Sequence, residues 1–127
     1  MNTIHTPDAP SAIGPYSQAV TVHGMVYCSG QIALVPETGQ LLDGDVAAQT
    51  HLVLKNLSAV LNAAGSSLNH VVKATVFLKR MDDFPTVNRI YAEYFGDHKP
   101  ARACVEVSCL PKNVDVEIDA IALVANE

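Results

Sequence analysis

Residues 100–107 read "PARACVEV" and put Arg102 and Cys104 two apart in a short apolar run opened by Pro100. Residues two apart on a strand share a face. The expected strand over 101–109 therefore turns Ala103, Val105, Val107 and Cys109 into a core and presents Arg102, Cys104 and Glu106 on the other side. A guanidinium carries a planar fork of donors that matches a carboxylate or phosphate in two parallel hydrogen bonds. Either Arg102 clasps such a ligand, or it pairs with an acid of its own chain. Glu117 stands between Val116 and Ile118, with Asp115 and Asp119 two residues to either side. A carboxylate desolvated against an apolar sheet gains basicity and suits general-base work; the competing reading is a solvated edge or a salt bridge. Cys104 as a nucleophile needs a histidine or a helix N-terminus beside it, and the sequence puts no histidine near it. The alternative is a small buried apolar residue. In "CSGQ" (28–31), Gly30 lacks a Cβ and lets a ligand approach the backbone, or else marks a bulge or strand end after Ser29. Tyr16 in "IGPYSQ" offers a hydroxyl to a site or a ring to a core.

These residues need a frame. Residues 6–18, rich in proline and glycine, form an irregular arm. "AVTVHGMVYCSGQIAL" reads as two strands around His23-Gly24, a two-residue hairpin connection. A further strand is possible near 31–35. Asp45 is placed to cap a helix running from Val46 to Gly65, whose Val46, Val53, Leu57, Val60, Leu61 and Ala64 form one apolar stripe. "VVKATVFLK" (71–79) is a strand by its β-branched content. A second helix begins at Asp82 or Asp83, carries Pro85 in its first turn and ends at Gly96, with Val87, Ile90, Tyr91, Tyr94 and Phe95 on its buried side. "VDVEIDAIALVA" (114–125) is the last strand. The order β-β-α-β-α-β-β predicts an α+β domain with both helices on one face of the sheet. Strands 71–78 and 114–124 are apolar on their second face as well. Two helices cannot cover two faces, so a second copy of the chain is the expected cover.

A chain of 127 residues fits a single domain, 1–127, that needs no disulfide or metal to hold a core. Net charge is −5, with no basic run, which argues against a nucleic-acid surface. No apolar stretch approaches a membrane span, and the first residues lack the features of a signal peptide, so the expected compartment is the cytoplasm. Three cysteines without CxxC spacing and five scattered histidines fit neither a disulfide framework nor a zinc site.

Four segments resemble the RidA family, the reactive intermediate deaminases of YjgF type. They are "AIGPYSQAV", "VYCSGQIAL", "VVKATVFLKRMDDFPTVNRIYAEYF" and "PARACVEVSCLPKNVDVEIDAIA", and together they span essentially the whole chain. The resemblance implies a chorismate-mutase-like mixed sheet, a homotrimer and three sites in the clefts between subunits. It implies hydrolysis of 2-imino acids such as 2-iminobutanoate and 2-iminopropanoate to 2-oxo acids and ammonia, without cofactor or metal. In that reading Arg102 holds the substrate carboxylate, Glu117 activates water and Cys104 lines the pocket chiefly through its backbone carbonyl. Tyr16, Ser29, Gly30 and Asn88 match pocket positions. "GDHKPAR" is shorter than the matching loop of some members, which bears on ligand size. Two other readings stand beside it: a trimer that binds small carboxylates or regulates partners without turnover, and a ribonuclease, which the acidic charge and lack of a histidine pair disfavour.

Overall fold

The computed structural model describes residues 1–125. Among them are six strands: β1 (Asn2–Ile4), β2 (Ala19–Val22), β3 (Met25–Gln31), β4 (Val71–Leu78), β5 (Ala101–Glu106) and β6 (Val116–Leu123). Two α-helices, α1 (Val46–Ala63) and α2 (Phe84–Phe95), cover one face of the sheet. The strands lie in the order β1-β2-β3-β6-β4-β5. Every neighbouring pair is antiparallel except β4 and β5, which run parallel and are joined through α2.

Local chemistry sets these boundaries. His23 and Gly24 both take positive φ, 50° and 76°, and close the β2–β3 hairpin with the backbone twist its strands require. Asp45 Oδ1 accepts from the Ala48 amide at 2.9 Å and caps α1. Val53, Leu54, Leu57, Val60 and Leu61 of α1 are fully buried against the sheet. Asp83 occupies the N-cap position of α2, but its side chain makes no capping bond. A single 3₁₀ turn, Met81–Asp83, leads into that helix instead. Gly96, at φ 62°, ends it.

Three expectations needed correction. The additional strand is residues 2–4, not 31–35, where Gln31 ends β3 and beyond it only an isolated bridge between Leu34 and Leu41 forms. β5 stops at Glu106, so Cys109 leaves the sheet and is exposed. The faces of β5 are also reversed. Ala74 pairs with Arg102 and Val76 with Cys104, so the even residues share the buried helix side, while Val105 is 41% exposed on the open side. Arg102 and Glu106 stay exposed on the helix side and Ala103 and Cys104 are equally half-buried, so on this edge strand the apolar alternation does not mark the face the helices cover.

The open face carries Tyr27, Thr75, Phe77, Val105, Ile121 and Leu123 around Lys73, Glu117 and Asp119. Tyr27 and Leu123 are each 46% exposed. No helix in the described residues is long and apolar enough to cross a membrane.

Candidate functional site

Arg102 leans from β5 over the N-terminal half of α2. Its Nη1 donates to Asn88 Oδ1 at 2.7 Å. Its guanidinium carbon lies 4.8 Å from the centre of the Tyr91 ring and 5.6 Å from that of Phe84. Aromatic faces hold a cation through their quadrupole and leave its in-plane donors free. Among the described residues the one ion pair joins Arg89 to Glu93, so no acid within salt-bridge distance occupies Arg102. A cavity of about 420 Å³ opens beside it, lined by Asn88, Tyr91, Phe95, His98 and Pro100. The Tyr91 ring stacks on Phe95 at 4.3 Å, and its buried hydroxyl finds no partner.

Glu117 stands on the open face, where β6 pairs it with Phe77. Gly30 of β3 lies against it. A Cβ there would meet the Glu117 carboxyl carbon at 2.8 Å, so any larger residue requires the Glu117 side chain to move from this position. The bulge between Cys28 and Gln31 creates the approach. Gly30 thus makes room for a carboxylate of its own chain. Burial first, and the neighbouring Asp119 second, push the Glu117 carboxyl above its ordinary value. Burial likewise raises Asp119, against hydrogen bonds from Thr75 and the charge of Lys73.

Ser29 acts on the arm. Its Oγ donates to Ser17 O at 2.6 Å and its amide to Gln18 O at 3.0 Å. Gln18 is buried and ties the arm from within: its Oε1 accepts from the Thr6 amide at 2.7 Å, and its Nε2 donates to Thr6 O at 3.0 Å and Pro10 O at 2.8 Å. The sequence reading did not single out Gln18; a lone glutamine opening a strand gives little signal. These ties hold out Tyr16 and Ile13, 55% and 82% exposed. Tyr16, Ile13, Ser29, Gly30 and Glu117 line a second cavity of about 620 Å³, with Lys112 at its rim.

The candidate residues therefore fall into two groups. Arg102, Asn88 and Cys104 belong to the helix side of β5 and to α2. Tyr16, Ser29, Gly30 and Glu117 belong to the open side and the arm. Cys104 is partly buried against the core. Burial raises its thiol above the ordinary value and the Arg102 charge pulls the other way, so the thiol keeps its proton at neutral pH. Cys28 is pushed up to about 12 by burial and then by Asp119. No group of three or more His, Cys, Asp or Glu side chains converges as a metal site among the described residues.

A family model described as Endoribonuclease L-PSP matches residues 6–124. A RutC family protein of Pyrococcus horikoshii is 55% identical over 119 residues, covering 94% of each chain. The 2-iminobutanoate/2-iminopropanoate deaminase of Mus musculus is 52% identical over 120 residues, covering 94% of this chain and 89% of the relative. The crystal structure of Escherichia coli TdcF with bound serine superposes with a TM-score of 0.93 at 44% identity, covering 98% of this chain and all of that one, 100%.

Proposed function

The chain belongs to the Endoribonuclease L-PSP family, which includes the RidA and YjgF-type proteins, and on that premise we propose that it is an imine deaminase. It hydrolyses 2-iminobutanoate and 2-iminopropanoate to the 2-oxo acids and ammonia, as a homotrimer with its sites between subunits.

One observation carries this reading. A cation with no acid within salt-bridge distance and a desolvated carboxylate stand on opposite faces of one sheet, each beside a cavity. A second copy, covering the apolar open face of the first, brings one chain's Arg102 to another's Glu117. The symmetry of a closed trimer then repeats the pairing three times.

In such a cleft the Arg102 fork clasps the substrate carboxylate in two parallel hydrogen bonds. Asn88 and the Tyr91 and Phe84 rings fix its plane. The imine carbon then sits beside a water held by Glu117. As the water oxygen bonds to that carbon, Glu117 takes one of its protons. Glu117 passes that proton to the imine nitrogen, giving a carbinolamine; the carbinolamine hydroxyl then yields its proton to the amine nitrogen as the C–N bond breaks, leaving a 2-oxo acid and ammonia. The raised carboxyl suits a base working near neutral pH. The protonated thiol of Cys104 leaves it no nucleophilic part, and its backbone carbonyl faces the nitrogen. Tyr16 supplies its hydroxyl to the same cleft. Much of the rate gain is positional.

The test is ammonia release from 2-iminobutanoate generated in situ. Wild type accelerates it, and Arg102→Ala abolishes the acceleration while the oligomer persists. Saturable 2-oxo acid binding without ammonia release would instead mark a carboxylate-binding protein.

A further inference from the structure

The cavity beside Glu117 has a feature that imine hydrolysis leaves unused. β5 and β6 are joined through a 3₁₀ turn, Pro111–Asn113, in which two successive non-glycine residues take the left-handed conformation. Lys112 has φ 54° and Asn113 φ 60°. Asparagine tolerates this region, but lysine gains nothing from it. The strain is held in place from several sides. Leu110 is buried, the Asn113 amide donates to Leu110 O at 2.9 Å, and Lys79 Nζ donates to Asn113 Oδ1 at 2.8 Å. Backbone strain that the surroundings enforce collects at working sites.

What the turn presents is a lysine at the rim of the 620 Å³ cavity that Glu117, Tyr16, Ser29 and Gly30 also line. Lys112 is exposed and, like the other lysines of the described residues, has no acid within salt-bridge distance. It lines the same cavity as Glu117 without pairing with it. The cavity opens on the sheet face that the proposed second copy covers. Ile13, Ile32 and Leu34 give it an apolar wall that an alkyl chain can follow.

We propose that Lys112 is a second anion site of this cavity, and that the chain accepts dicarboxylic 2-imino acids and their 2-oxo acid products. The inference rests on the deaminase reading for its chemistry, but the anion site stands on geometry alone. The carboxylate next to the imine goes to Arg102 of a neighbouring copy, and the side-chain carboxylate reaches Lys112. A two- or three-atom spacer between the two carboxylates distinguishes these ligands from the monocarboxylic imino acids.

Binding of 2-oxoglutarate and 2-oxobutanoate, measured by titration calorimetry on the intact oligomer, tests this. Wild type favours 2-oxoglutarate about fivefold, the upper range for a solvent-exposed ion pair. Lys112→Met removes the preference and Lys112→Arg keeps it. Lys112→Gly also removes it, but raises the melting temperature, because glycine adopts positive φ at no steric cost. A preference unchanged in both Lys112→Met and Lys112→Gly would overturn the proposal. Ammonia release from 2-iminobutanoate is followed in parallel. Its absence, with the affinity ratio still governed by Lys112, would count against the deaminase reading while supporting the anion site.

Discussion

Arg102 and Glu117 project from opposite faces of the same sheet. The pairing of Ala74 with Arg102 turns the arginine toward the helices, and the pairing of Phe77 with Glu117 turns the glutamate toward the open side. One protomer cannot close both on a single small acid.

A mixed oligomer measures this directly. Arg102→Ala and Glu117→Gln are each inactive alone. Unfolded together and refolded at equal ratio, they regain activity, since some clefts take Arg102 from one variant and Glu117 from the other. Random assembly makes about one quarter of the clefts complete. No recovery, with mixed trimers demonstrated by mass spectrometry, would refute a site shared between copies.

The Glu117 carboxyl lies above the ordinary 4.5, from burial first and Asp119 second. As a base it works only when ionised, so kcat/KM falls with acid through a pKa displaced toward neutral. Asp119→Asn removes the neighbouring charge and moves that limb to lower pH. Stability follows the opposite sense. The folded pKa is raised, so the contribution is full below the unfolded pKa and fades as pH rises through the folded one. Glu117→Gln therefore melts higher than wild type at neutral pH, and the gap closes near pH 4, about where a free carboxyl protonates. The side chain is only half-buried, so the gap is modest. An acid limb at the ordinary carboxylate position, unmoved by Asp119→Asn, would remove Glu117 as the base.

Tyr91 combines a ring beneath Arg102 with a hydroxyl that has no partner. Tyr91→Phe keeps the ring and removes the orphan group, and should stabilise the fold by about 1 kcal/mol. Tyr91→Leu removes the platform. Loss of the cation–π contact should cost about 1 kcal/mol in ligand binding and raise KM about fivefold with a smaller effect on kcat. Equal KM values in the two variants would show that the ring does not position the guanidinium.

Much of this was legible in the chain itself. The cap at Asp45, the α1 stripe, the His23-Gly24 hairpin and β4 each follow from interactions within a few residues. The doubly apolar character of β4 and β6 also pointed to the uncovered face. What escaped was long-range. A strand as short as Asn2–Ile4 exists only because β2 accepts it as a partner. The orientation of β5 depends on its register with β4, which its own sequence does not encode. The roles of Ser29 and Gln18 depend on an arm whose path no periodicity describes.

The β4–α2–β5 unit has a further consequence. Phe84, Asn88, Tyr91 and Arg102 all come from one contiguous stretch of chain, so the proposed carboxylate anchor rests on contacts of short sequence separation. Tyr16, Gly30 and Glu117 come from opposite ends of the polypeptide and meet only through the β3–β6 pairing. Loop-closure entropy weighs more heavily on that half, so the Glu117 side of the proposed cleft is expected to form after the Arg102 side.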